Sequence, residues 1–206
     1  MNVYLHEDYE FYVAVQRKMT ARKTDNGARS KSWVGDNEVK QINDLIHTHV
    51  PDIKTIVCHG CRSGVEVDLL HKMNPDAEVF GTDIYGPAYQ FDRTYFREMD
   101  FDIVPDEWKE YFDVVYSNSI DHSRDPINTL RSWRSELKDG GICVVNYHWG
   151  RGVSREDCFH LDASRYEQEI QEIGEKVGMR VVSILPPRDF ARGSQCADVV
   201  MQKGEF

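Results

Sequence analysis

The sequence has few of the features that mark secreted, membrane or nucleic-acid-binding proteins. Among its 206 residues, no apolar run approaches the ~18–20 residues that a membrane-spanning helix needs. The N-terminus has neither a basic start nor an apolar core, so we expect no signal peptide. The five cysteines, an odd number without framework spacing, are typical of a reducing cytosol. These absences predict a cytoplasmic protein that does not associate with membranes.

Positive charge is also scarce. The chain has 25 Lys and Arg against 35 Asp and Glu, a net charge of −10. This balance disfavours general nucleic-acid binding, because phosphate attraction supplies most of that affinity. The first 31 residues differ, with six basic and four acidic side chains. We therefore divide the chain into residues 1–34, a helical segment that is either simply solvated or a basic lid over an anionic substrate, and a domain spanning 35–206.

Strand and helix patterns alternate along the chain. Buried strands are predicted at 55–58, 78–82, 112–117 and 142–147, with a weaker strand within 95–101 and a final pair at 180–185 and 198–203. Helices are predicted at 8–20, after an Asp36 N-cap, at 65–73, within 104–111, from Pro126 to the glycine pair at 140–141, and at 163–177. The alternation predicts an α/β fold with a doubly wound, mainly parallel Rossmann-like sheet.

A glycine-containing turn follows the first buried strand. Gly60 and Gly64 lie between that strand and an amphipathic helix, and the next strand ends on Asp83. The acid falls about 20 residues after the turn, the spacing of a group that accepts a hydrogen bond from a ribose hydroxyl. The turn is one glycine short of the dinucleotide pattern G-x-G-x-x-G, and a nucleoside without phosphates requires less of the loop. The sequence therefore predicts a nucleoside site.

At these residues the chain resembles the class I S-adenosylmethionine-dependent methyltransferases. The run VCHGCRSG is similar to their first motif, and VFGTDI is similar to their second. With the later run YSNSIDHSRDP, these spellings resemble a small branch seen among aquatic phage and bacterial sequences. The resemblance implies a seven-stranded sheet of order 3-2-1-4-5-7-6 whose last strand is antiparallel, with S-adenosyl-L-methionine as cofactor.

The resemblance also implies which residues contact this cofactor. The family usually has an acid at Cys58, to meet the methionine ammonium group, and a glycine at Arg62, so other groups must hold part of the amino-acid end. Asp100 would accept a hydrogen bond from the adenine amino group, and the neighbouring Phe101 would also contact the adenine. If the match to the family is shifted along the chain, Asp102 takes the place of Asp100. The residues assigned to the cofactor are Cys58, His59, Gly60, Arg62, Gly64, Asp83, Ile84, Asp100, Phe101 and Asn118.

The segment after the fourth strand leads to the predicted reaction centre. It lacks the Asn/Asp-Pro-Pro-aromatic run of enzymes that methylate nucleic-acid amino groups. Asp121 and His122 are instead similar to an acid–histidine pair of many small-molecule methyltransferases, although His122 has the alternative role of fixing the turn. The candidate bases are His122, His148 and Asp121, needed only if the acceptor carries a proton. The acids and histidines at 148–162 lie in a polar loop, and we predict no metal site there.

The sequence thus predicts methyl transfer from S-adenosylmethionine to a small or medium-sized acceptor. One alternative is a cofactor-binding module without methyl transfer that serves a partner protein. Another is a nicotinamide-dependent oxidoreductase. The oxidoreductase is disfavoured by the missing middle glycine and by the absence of a Tyr-x-x-x-Lys pair near the fifth strand.

Overall fold

The computed structural model describes residues 1–25, 34–85, 95–190 and 193–204. The helices are α1 (Tyr9–Asp25), α2 (Asp36–His49), α3 (Val65–Met73), α4 (Pro126–Glu136) and α5 (Tyr166–Val177). The strands are β1 (Asn2–Val3), β2 (Thr55–His59), β3 (Glu78–Asp83), β4 (Phe96–Glu98), β5 (Phe112–Ser117), β6 (Leu137–Trp149), β7 (Phe159–His160), β8 (Met179–Ile184), β9 (Arg188–Asp189) and β10 (Gln195–Lys203). Two short 3-10 helices span Asp106–Trp108 and Ile120–His122.

The main sheet has the strand order β4-β3-β2-β5-β6-β10-β8, and β9 pairs with β10. The pairs from β4 to β6 are parallel, whereas β10 runs antiparallel to both β6 and β8. If these seven strands are numbered 1 to 7 along the chain, without β1, β7 and β9, their order in the sheet is 3-2-1-4-5-7-6. The seventh strand, β10, is the antiparallel one. The predicted doubly wound, mainly parallel Rossmann-like sheet is therefore confirmed.

Helices cover both faces of this sheet. On one face, α2 and α3 bury an apolar cluster that includes Ile42, Leu70 and Val114. On the other face, α4 and α5 bury a cluster that includes Trp133 and Ile173. Every residue of β2 is buried, as expected for a parallel strand packed on both sides. This burial explains why the strand appears in the sequence as a continuous apolar run.

Several predicted boundaries were wrong. The N-cap of α2 is Gly35, whose amide donates to Glu38 Oε2 at 2.6 Å, so Asp36 is the first helical residue and not the cap. Helix α1 continues past residue 20 to Asp25. The glycine pair at 140–141 does not stop α4, because the chain turns directly into β6 at the fully buried Leu137. The pair instead lies where the β5–β6 register shifts, and a Cβ on Gly141 would be 3.2 Å from the Phe112 carbonyl oxygen.

A second, two-stranded sheet attaches the N-terminal segment to the long loop after β6. Strand β1 pairs antiparallel with β7, and the Tyr4 amide donates to the Cys158 carbonyl at 2.7 Å. All five cysteines are free and buried. No helix in the described part of the chain is long and apolar enough to cross a bilayer. The small sheet directs α1 towards the carboxyl ends of the parallel strands.

Candidate active site

The turn between β2 and α3 is shaped by close contact with the segment that follows β5. Gly60 has φ of +69°, and a Cβ placed on it would lie 2.6 Å from Ser119 Cβ. Such a distance excludes any side chain unless the backbone moves. Ser119 Oγ donates to the Gly60 carbonyl at 3.0 Å, which holds the two segments together. Gly60 is therefore needed both for its left-handed backbone and for this approach.

Asp83, the last residue of β3, holds this turn through main-chain amides. Its Oδ2 accepts from the Arg62 amide at 2.7 Å, and its Oδ1 accepts from the Tyr85 amide at 3.2 Å. Arg62 has φ of 41°, so the first bond stabilises a backbone conformation that non-glycine residues rarely adopt. Burial raises the pKa of the Asp83 carboxyl above its ordinary value, although the two amides oppose that effect.

A pocket of about 670 Å³, its open mouth included, lies at the carboxyl ends of the parallel strands. This is where open α/β sheets bind their ligands. Its walls come from the glycine turn, α3, the ends of β3 and β5, the residues after β4, and α1. The lining residues are Tyr12, Gln16, Met19, Thr20, Gly60, Cys61, Arg62, Ser63, Glu66, Asp83, Ile84, Asp100, Phe101, Asn118, Ser119 and His122.

Eight of the residues predicted to form the site line this pocket. They are Gly60, Arg62, Asp83, Ile84, Asp100, Phe101, Asn118 and His122. Their convergence comes from the sheet order, which brings the ends of β4, β3, β2 and β5 side by side. Their contacts with a cofactor stay a prediction.

Five predicted residues do not line the pocket. Cys58 is buried in the apolar cluster beneath α2 and α3. The ring of His59 lies within the protein, 2.8 Å from both Thr82 Oγ1 and Glu136 Oε2. Gly64 is the N-cap of α3. The other two, Asp121 and His148, are buried near His122.

His122 is held in a defined orientation in the pocket wall. Its Nδ1 lies 2.8 Å from the Glu156 carbonyl oxygen. Because a carbonyl only accepts hydrogen bonds, Nδ1 carries a proton, and Nε2 is the basic nitrogen of the neutral ring. Nε2 is 4.0 Å from Asp121 Oδ1, beyond hydrogen-bonding distance. The ring is thus oriented to accept a proton at Nε2.

Acidic and basic groups surround the buried side of His122. Burial alone would raise the pKa of Asp121, but its neighbours His122, His148, His160 and Arg151 together hold that pKa below the ordinary value. Burial lowers the pKa of His148, and Asp121 only partly opposes this. Asp121 is therefore an anion behind His122, where it can stabilise a protonated ring, and His148 favours its neutral form.

One trio in this region has metal-ligand spacing. The potential ligand atoms of Asp121, His122 and Asp157 all lie within 4.8 Å of one another. Asp157 Oδ2, however, already accepts from the Arg151 guanidinium at 2.7 Å, so this trio has a cation of its own. Asp162, another acid of the loop, accepts from the Ser164 hydroxyl at 2.7 Å.

Sequence reasoning named no site residue in two parts of the pocket wall, although it considered residues 1–34 as a lid. The first is the α1 face formed by Tyr12, Gln16, Met19 and Thr20, whose helical spacing was visible although its packing partner was not. The second is Glu66, on the second residue of α3, which reads as an ordinary acid in the first turn of a helix. In the structure Glu66 is buried and faces the pocket.

No protein-family model and no curated protein matches this sequence. Solved structures do match it. The 1,6-didemethyltoxoflavin-N1-methyltransferase of Burkholderia thailandensis, with bound 1,6-didemethyltoxoflavin and S-adenosylhomocysteine, is similar with a TM-score of 0.77 at 12% identity, over 100% of this chain and 94% of that one. The chain has the class I methyltransferase fold.

Two further structures show how widely this fold is used. The geranyl diphosphate C-methyltransferase of Streptomyces coelicolor, in complex with Mg²⁺, geranyl diphosphate and S-adenosylhomocysteine, has a TM-score of 0.65 at 11% identity, over 93% of this chain and 98% of that one. The [4+2]-cyclase SpnF has a TM-score of 0.64 at 14% identity, over 82% of each chain. At such identities the likeness establishes the methyltransferase fold and leaves the reaction to be argued from the site.

Proposed function

We propose that the protein transfers a methyl group from S-adenosylmethionine to a small or medium-sized acceptor. The observation that carries the proposal is the placement of Asp83. Asp83 ends β3, and its buried carboxylate accepts from the Arg62 amide in the glycine turn between β2 and α3. It lines the same pocket as His122. A carboxylate at a strand end beside a left-handed glycine turn suits the hydroxyl groups of a nucleoside. Gly60, where a Cβ would meet Ser119, lets the turn pack against the segment after β5, and both line the pocket.

The roles of the side chains follow from their positions. The cofactor, when bound, supplies an activated methyl group on a sulfonium, so the protein mainly has to orient the two reactants. We propose that the turn at 60–64, Asp83, Asp100 and Phe101 hold the nucleoside. His122 Nε2 then takes the proton of an acceptor hydroxyl or amine, and Asp121 stabilises the resulting imidazolium.

Helix α1 supports a lid role for residues 1–34. Its Tyr9 hydroxyl donates to Asp100 Oδ2 at 2.6 Å, and its Gln16 amide donates to the Glu156 carbonyl at 3.0 Å. Tyr12 is 1% exposed although it belongs to a polar segment. A helix attached at these points separates the pocket from bulk water, as lids commonly do. We propose that the acceptor binds between α1 and His122.

Several finer predictions rest on the sequence. They are membership of the branch seen in aquatic phage and bacteria, a cytoplasmic location, and the lack of general nucleic-acid binding. The alternative is a cofactor-binding module without methyl transfer, because it would have the same fold and the same nucleoside site.

Calorimetry with S-adenosylhomocysteine tests the proposal. We expect the wild-type protein to bind S-adenosylhomocysteine in preference to NAD, and Asp83→Asn to weaken binding by about 10- to 100-fold. Asp76→Asn, in the exposed turn before β3, is the matched control and should leave affinity unchanged. Preference for NAD would contradict the cofactor assignment. Tight binding without methyl transfer to any acceptor in a broad small-molecule screen would favour the binding module.

A further inference from the structure

Glu66 is a buried carboxylate on the pocket wall that has few hydrogen-bond donors. The residue is only 4% exposed. Among the described side chains, its hydrogen-bond donor is Asn118, with Nδ2 3.2 Å from Oε1. Like the other two acids of the pocket, Glu66 also interacts with a main-chain amide, in this case its own. Asp83 accepts from two amides, and Asp100 accepts from the Tyr9 hydroxyl and the Asp102 amide.

The strand order places Glu66 at one end of the pocket. From β4 across β3 and β2 to β5, the mouth presents Asp100, then Asp83, then the glycine turn, then Asn118. Glu66 contacts Asn118 and therefore lies at the β5 end of the pocket. A ligand whose nucleoside lies at Asp100 and Asp83 must extend its remaining part across the turn towards Glu66.

Cys58 does not supply a negative charge at this end. Its thiol lies in the apolar cluster beneath α2 and α3, and burial, together with the nearby charge of Glu66, raises its pKa well above the ordinary value. The thiol is therefore neutral. Glu66 is the carboxylate that faces this end of the pocket, and the charge of Arg62 only partly offsets the cost of its burial.

We propose that Glu66 binds the ammonium group of the cofactor's methionine portion, with Asn118 fixing the carboxylate through Oε1. This assignment rests on the proposed function, because it requires the nucleoside to lie at Asp83. The acid that meets the ammonium is thus carried by the first turn of α3, after the glycine turn, and not by the end of β2. An ionised carboxylate and an ammonium form a charge-assisted hydrogen bond, which is among the stronger polar contacts in proteins.

The proposal has a consequence for pH. Burial raises the pKa of Glu66 to about 7, against the opposing effects of its own amide, Arg62 and Asn118. The charged or titratable groups that face it are Arg62, Asp83, Cys58, Cys61 and Tyr116. The two thiols and the phenol have pKa values raised well above their ordinary ones, so they stay neutral near pH 7. Ammonium binding should therefore strengthen as Glu66 ionises between pH 6 and pH 8.

Two ligands that differ only in the amino-acid portion test the assignment. S-adenosylhomocysteine carries the ammonium group, whereas 5′-methylthioadenosine keeps the adenosine and the thioether but lacks it. In calorimetry at pH 8, Glu66→Gln should weaken S-adenosylhomocysteine by about 10- to 100-fold and change methylthioadenosine by less than twofold. Asp68→Asn, an exposed acid on the same helix, is the matched control and should change neither affinity.

The wild-type protein provides a second measurement that needs no variant. Any titration of Asp83 affects both ligands and cancels in the ratio of their affinities. From pH 6 to pH 8, this ratio should change in favour of S-adenosylhomocysteine. The ratio should be flat in Glu66→Gln. An unchanged S-adenosylhomocysteine affinity in that variant, or equal weakening of both ligands, would overturn the role of Glu66 while the cofactor assignment stands. Failure of both ligands to bind the wild type would instead overturn the proposed function.

Discussion

Gln16 and His122 donate to the same acceptor, the main-chain carbonyl of Glu156. Gln16 Nε2 is 3.0 Å and His122 Nδ1 is 2.8 Å from that oxygen. A carbonyl oxygen has two lone pairs, so both bonds can form at once. Through this atom, the helix over the pocket and the candidate base are fixed to one point of the loop after β6.

The shared acceptor predicts non-additive effects on stability. Gln16→Met or His122→Leu alone leaves the carbonyl with one of these two donors, whereas the double variant leaves it only the long contact from the Cys158 thiol, at 4.0 Å. The double variant should therefore lose about 0.5–1 kcal/mol more unfolding free energy than the two single variants together. Urea denaturation of the four proteins measures this coupling. Simple additivity would mean that the two bonds do not depend on each other.

A variant of His122 can separate its two ring nitrogens. In His122→Asn, the amide nitrogen can take the place of Nδ1 and keep the bond to Glu156, while the basic Nε2 is lost. For an acceptor that must lose a proton, turnover should fall by about 10²- to 10⁴-fold, with S-adenosylhomocysteine affinity unchanged. His122→Leu should lose stability as well. Near-normal turnover in His122→Asn would leave the ring only the alternative role of fixing the turn.

The bond between Tyr9 and Asp100 predicts how the lid affects the cofactor. It joins α1 to a residue on the predicted adenine side of the pocket. Tyr9→Phe keeps the ring and removes the bond, so S-adenosylhomocysteine should dissociate several-fold faster, up to about tenfold. Tyr166→Phe removes an exposed hydroxyl bond to Glu167 and should have no effect. Stopped-flow dissociation compares them, and equal rates in all three proteins would argue against a lid that closes over the cofactor.

Two glycines with similar backbones isolate the steric requirement at the turn. Gly60 and Gly140 have φ of +69° and +77°, but a Cβ on Gly140 would meet nothing within 4 Å. Gly140→Ala should therefore lose only the unfolding free energy that a left-handed backbone costs a non-glycine residue, about 1–2 kcal/mol. Gly60→Ala should cost more and also weaken S-adenosylhomocysteine. Measured in a Ser119→Gly background, which already lacks the Ser119 hydroxyl bond, Gly60→Ala should cost only about as much as Gly140→Ala. An equally large cost in that background would mean that the contact with Ser119 is unimportant.

Sequence reasoning succeeded where local pattern and position determine structure. The buried β2 and β5, the turn at Gly60 and the acid at Asp83 each carry a local signal, and parallel pairing then brings their ends together. It failed at α4, because the glycine pair that resembles a helix stop serves the close approach of Gly141 to β5. That contact joins distant parts of the sheet and leaves no local pattern.

The site was predicted unevenly for the same reason. Cys58 was assigned to the cofactor by position in a motif, but its thiol turns into the core, and a strand residue's side depends on the packing of both faces. Glu66 looks like any acid in a first helical turn, and the hydrogen bond that holds its carboxylate comes from Asn118, which is 52 residues away. The face of α1 that lines the pocket is likewise set by its contacts with the loop after β6.

Glu66 should also reduce the stability of the ligand-free protein in a pH-dependent way. Its folded pKa of about 7 lies above the ordinary value of 4.5, because burial disfavours the charged form. Below pH 4.5 the group is neutral in both folded and unfolded states and carries no penalty. The penalty grows as pH rises from 4.5 and is complete above pH 7, where it is on the order of 3 kcal/mol. Glu66→Gln removes it, so the variant should gain stability over the wild type between pH 4.5 and pH 8.

Urea denaturation of the wild type and Glu66→Gln at pH 4.5 and pH 8 measures this change, and Asp68→Asn again serves as the control. Saturating S-adenosylhomocysteine should reverse the order at pH 8, because a bound ammonium compensates the buried charge only in the wild type. A difference in stability that does not vary with pH would mean that Glu66 has the same pKa in the folded and unfolded protein and carries no burial penalty. The ligand-free cost and the ligand-bound gain are then two measurements of one buried charge, made at the same residue.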